Sequence, residues 1–135
     1  MVYEYPTFPD EILVTIPYLQ NHPKITAFGP ITVAGDLTGY VSPNRWISVQ
    51  VTGGSDENKV RVAAPRVDVN VYAETKPIAK KIALAAIAAL KSMKNYVTED
   101  AVIVNTDVSL PADLTDPVNS NPRFVFDATI SIRPN

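Results

Sequence analysis

Carboxylates are the residues from which this chain could build chemistry: fourteen Asp and Glu stand against one histidine and no cysteine. Asp68 and Asp127 make the sharpest case. Each interrupts the polar face of a strongly patterned strand, and the two could meet across a sheet. Paired carboxylates so placed can hold a divalent cation or divide acid and base roles. A metal-dependent hydrolase built on them predicts divalent-ion binding and loss of activity on Asp68→Asn. The plainer expectation pairs them with Arg66, Arg123 or Arg133 as exposed cross-strand ion pairs, each worth under about 1 kcal/mol. Asp113 and Asp116 fall in turn-rich sequence, where Asp serves the backbone.

The other candidates are weaker. His22 lies between Asn21 and Pro23, without the second histidine of a multi-His metal site and without a serine or cysteine in triad context. A surface or capping role is expected for it. Gly53-Gly54 is followed by no lysine at phosphate-loop spacing and by no helix start. Trp46 sits in a strand pattern and reads as packing. The clustered aromatics with neighbouring basic residues of RNA-binding sheets are missing. Having no cysteine also removes disulfides, Cys-ligated zinc, iron–sulfur clusters and thiol nucleophiles. The sequence thus predicts no catalytic residue, no cofactor, no metal site and no enzyme.

Bulk properties narrow the partners. A chain of 135 residues that is 46% hydrophobic and 19% charged suits one folded domain over 1–135. The net charge is −2, and the basic residues are scattered from Lys24 to Arg133, which argues against duplex DNA or an anionic membrane as main partner. The N-terminal residues have neither a basic nor an apolar signal region, and the most apolar stretch, 78–90, contains Lys80 and Lys81 and is too short to span a bilayer. A soluble protein is expected. Twelve prolines against five glycines suggest stiff, extended connections.

These residues must be positioned by elements that the periodicities outline. Thr7-Phe8-Pro9-Asp10 looks like a helix start, with Thr7 as cap, Pro9 in the first turn, and Ile12, Leu13, Ile16 and Leu19 at helical spacing. Pro17 should kink this helix, which ends near Asn21-His22-Pro23. Residues 24–44 are rich in turn chemistry and read as a long loop with short strands. A strand over 46–52 should close at a Gly53-Gly54-Ser55-Asp56 turn, with 58–62 beginning the return.

The second half is more regular. Over 66–73 every odd position is apolar and every even one polar or amphipathic, the mark of a half-buried strand. Thr75 and Pro77 then open a helix on which Ile78, Ile82, Ala86, Ala89, Leu90 and Met93 share one side. Lys80, Lys81, Lys91 and Asn95 lie opposite, with Leu84 and Ala88 among them. A strand over 101–109 carries Val102, Val104, Thr106 and Val108 on one side and Ile103 on the other. Proline-rich sequence over 110–122 leads to a final strand over 123–133, in which Phe124, Phe126, Ala128, Ile130 and Ile132 alternate with polar residues. The fold class is α+β: an antiparallel or mixed sheet packed by one long helix of the C-terminal half and a short N-terminal helix.

With this order of elements, "RVDVNVYAE" leading into "AKKIALAAIAAL" and the closing "LTDPVNSNPRFVFDATISIRP" resemble the tail terminator proteins of long-tailed bacteriophages. The resemblance extends from about Ile12 onward and is densest after Arg66. It implies a subunit of a homo-oligomeric, hexameric ring at the tail–neck junction of a virion, synthesised in the host cytoplasm. Such a ring caps the tail tube, ends its polymerisation and presents a docking surface to head–neck connector proteins, while DNA passes through its lumen without specific binding. No active-site residues are implied. Another neck, connector or tail-completion subunit is the nearest alternative. Ring closure needs a heterologous contact, and the candidates for it are Arg66, Asp68 and Asp127 on the strands and Lys80, Leu84 and Lys91 on the helix.

Overall fold

The computed structural model describes residues 7–58, 62–115 and 121–135. Residues 59–61 and 116–120, Asp116 among them, lie outside the described residues. Among the described residues, three helices, α1 (Glu11–Asn21), α2 (Pro23–Thr26) and α3 (Lys76–Lys91), accompany six strands. The strands are β1 (Thr32–Ala34), β2 (Trp46–Asn58), β3 (Val62–Tyr72), β4 (Ala101–Val108), β5 (Ala112–Asp113) and β6 (Arg123–Pro134).

They form one mixed sheet in the order β1-β2-β3-β6-β4. Among the described residues β1 and β2 pair in parallel and the other paired strands are antiparallel. Because β3 and β4 are both antiparallel to β6, they run parallel to each other, and α3 is the crossover that such strands require. β5 continues the edge made by β4, pairing Ala112 with Val125 beyond the Val108–Ala128 pair. The α+β class with a mixed sheet is therefore as expected.

Strict alternation decides which face is buried. Val67, Val69, Val71 and Ala73 of the β3 side and Phe124, Phe126, Ala128, Ile130 and Ile132 of β6 all join one core with Ile82, Ala86, Leu90 and Met93 of α3. Leu19 of α1 and Ile25 of α2 complete that layer. Small Ala79, Ala83, Ala86 and Ala89 let α3 lie close to the sheet. Thr75 caps α3 by accepting the Ile78 N–H at 3.4 Å, with Pro77 in the first turn. Among the described residues no helix packs on the opposite sheet face.

Several local expectations are corrected. Asp10, not Thr7, caps α1, accepting the Ile12 N–H at 2.9 Å; Pro9 therefore precedes the helix. The helix contains Pro17 and ends at Asn21, as expected, with Asn21 Nδ2 donating to the Pro17 carbonyl. Gly53 and Gly54 are not a turn, because β2 continues through them to Asn58 with a bulge between Val51 and Gly53. Both have positive φ, and a Cβ on Gly54 would lie 2.4 Å from the Ala64 carbonyl oxygen. Two strand backbones meet where only glycine fits.

Another bulge, between Ile103 and Asn105, reverses the faces of β4. Ala101 and Ile103 are buried before it, while Thr106 and Val108 face the core after it, opposite Ile130 and Ala128. Val102 lies on the outer face opposite Arg133, so the expected grouping of Val102 with Thr106 and Val108 fails. The 29–43 segment packs onto the sheet and the neighbouring connection. Trp46 Nε1 donates to the Asp36 carbonyl, and the Tyr40 ring packs against Trp46 and Tyr72. Ser42 Oγ donates to Asn121 Oδ1 at 2.9 Å, tying the two proline-rich connections together.

Candidate assembly surfaces

The strand candidates lie on the sheet face opposite the helices. Asp68 and Asp127 are direct partners in the β3–β6 register, so the sequence expectation that they meet is met. The arginines do not pair with them as expected. Arg123 spends its guanidinium on Asn70 Oδ1, at 2.9 and 2.7 Å, and stacks 5.9 Å from the Tyr72 ring centre. Arg66 Nε reaches Thr52 Oγ1, and Arg133 Nη1 reaches the Pro134 carbonyl. Local geometry explains this: register opposes Asp to Asp and puts Arg123 opposite Tyr72, with Asn70 two residues along the same face. Two like charges held opposite each other cost stability in an isolated sheet. Among the described residues no group of three or more His, Cys, Asp or Glu could hold a metal ion.

The helix candidates point the other way. Lys80, Leu84 and Lys91 lie on the face of α3 turned from the sheet, all exposed, with Leu84 at 45%. Among the described residues the ion pairs are Arg45–Glu74 at 2.6 Å and Lys76–Asp113 at 3.2 Å, so Lys80, Lys81 and Lys91 make none. The two groups of candidates thus occupy opposite sides of the molecule.

Other positioned residues carried no signal in the sequence. Arg45 grips Glu74 with Nε and Nη2 and also donates to the Phe28 carbonyl, locking the start of β2 to the end of β3. The Arg45 hydrogen bonds hold the Glu74 carboxyl below its ordinary range. Gln20 uses its side-chain amide as a surrogate strand: Nε2 donates to the Ile31 carbonyl at 2.8 Å and Oε1 accepts the Val33 N–H at 3.0 Å. That closes the free edge of β1. His22, by contrast, takes the capping role expected of it: its Nδ1 accepts the Lys24 N–H at the start of α2.

A cleft of about 460 Å³ opens where α1 begins, between Phe8, Pro9 and Leu13 on one side and the 98–100 turn with Glu99 and Asp100 on the other. Leu13 is 73% exposed at its rim. No helix among the described residues is long and apolar enough to cross a membrane.

No protein-family model matches the sequence, and no curated protein matches it. Among solved structures, the fold is similar to a chain described as "Virion of native gene transfer agent (GTA) particle". The TM-score is 0.60 at 16% identity, over 89% of this chain and 90% of that chain.

Proposed function

We propose that this chain is a phage-type virion structural protein, folded as one domain, and specifically the tail terminator: a ring subunit that caps the tail tube. The observation that carries the reading is the fold similarity to a virion-particle chain over nearly the whole length of both. The residues agree with it physically. Lys80, Leu84 and Lys91 are exposed on one side, and Asp68 and Asp127 are opposed on the other. A head-to-tail contact joins two different patches of one subunit, and such contacts close into rings when the rotation allows.

In this role the chain acts without catalysis, cofactor or metal. One ring face matches the last tube ring and the other refuses further tube subunits, so growth stops and connector proteins gain a platform. Six copies, a DNA-bearing lumen and the tail–neck junction as location belong to the same proposal. The deciding experiment is solution mass by light scattering, alone and with tail-tube protein, together with tube lengths by electron microscopy. The expected result is a ring or a ring-capped tube of limited length. A monomer that leaves tube length unchanged overturns the tail-terminator role. A ring that ignores tubes but binds connectors assigns the chain to the neck.

A further inference from the structure

Resting on the ring reading, we infer which surface of the neighbouring copy receives the exposed stripe of α3: the cleft at the start of α1. The stripe is an apolar knob with a cationic surround, Leu84 between Lys80 and Lys91, and neither lysine has an ion-pair partner within its own chain among the described residues. The cleft is its chemical inverse. Phe8, Pro9 and Leu13 offer apolar wall, and Glu99 and Asp100 set two carboxylates at the edge, again without ion-pair partners among the described residues.

Exposed charges of one sign around an apolar knob, and of the other sign around an apolar hole, are the arrangement that fixes register between subunits. The outer sheet face is a poorer receiver. There Ser48, Asn70 and Ser131 are buried among the strands, and Arg66, Arg123 and Arg133 stand among the carboxylates, so it presents neither an apolar hole nor a uniform charge. The occupant of the cleft is therefore a second copy of this chain. Stripe and cleft share no residue, so the contact is heterologous, and each subunit gives a knob to one neighbour and a hole to the other.

The chain has no cysteine, which makes a cross-linking test unambiguous. Leu13→Cys and Leu84→Cys are introduced singly and together, and the proteins are oxidised alone and with tail-tube protein. The double variant is expected to give a ladder of disulfide-linked chains ending at the ring size, and a mixture of the single variants a linked dimer. In parallel, Glu99→Lys with Asp100→Lys should shift the mass to monomer, and adding Lys80→Glu with Lys91→Glu should restore the oligomer. Circular dichroism verifies that these exposed substitutions leave the fold intact. An oligomer of unchanged mass in every variant, without cross-links, overturns the docking inference and leaves the ring standing. A wild-type monomer in all conditions overturns both.

Discussion

At the scale of single residues, polar satisfaction sets the expectations. Thr15 is fully buried in α1, and its hydroxyl has no hydrogen-bond partner among the described residues. Thr15→Val keeps the shape and removes the orphaned hydroxyl, so chemical denaturation should show a gain of about 1 kcal/mol. Glu74 behaves oppositely. Its carboxyl is held low by the Arg45 hydrogen bonds, so its contribution is present above the ordinary carboxylate range and lost as pH falls through its lowered value. Glu74→Gln should cost about 1 kcal/mol at neutral pH and flatten the acid limb of a stability–pH curve. Asp113 is pushed down to about 2 by the Thr115 hydroxyl and N–H and by Lys76, but it is solvent-exposed and should hardly alter that curve.

At the scale of elements, the sheet depends on how its irregular points are closed. Gln20→Ala reopens the β1 edge by freeing the Ile31 carbonyl and the Val33 N–H. The expected loss is about 1–2 kcal/mol, with faster amide exchange at Val33 as its local signature. Gly54→Ala forces the strand backbones apart and should cost about 2 kcal/mol or more in a melt. The elements themselves were legible wherever burial follows a strict period, as in β3, β6 and α3. The β4 bulge was not, because inserting one residue changes which side chains face inward without changing any local composition. Gly53-Gly54 read as a turn because glycine pairs usually mark one; the actual reason for Gly54 is the approach of Ala64 and Pro65 across the strand pair, and for Gly53 its positive φ.

At the scale of the whole molecule, monomer stability and assembly should separate. Ile82 and Leu84 are neighbours on α3, yet Ile82 is fully buried and Leu84 is 45% exposed. Ile82→Ala should cost about 3 kcal/mol in unfolding. Leu84→Ala should stay within about 0.5 kcal/mol in the monomer while lowering the solution mass at a given concentration. Raising salt should weaken assembly as well, since the proposed contact pairs surface charges that ions screen; light scattering over a salt series reads both effects.

The candidate surfaces divide in the same way. Lys80, Leu84 and Lys91 could be found in the sequence because helical spacing alone puts them on the face opposite the apolar side. The meeting of Asp68 with Asp127 was foreseeable from two alternating strands, but their lack of arginine partners was not, since register decides which side chains stand opposite. The α1 cleft, the Gln20 edge closure and the Arg45–Glu74 clasp had no signature at all. By itself the sequence determined what is periodic: which strand residues and which side of α3 are withdrawn from water, and hence the α+β class. Only the tertiary structure decided strand order, register and the clefts between distant segments. Those depend on which residues far apart in the chain become neighbours, and local pattern carries no record of that.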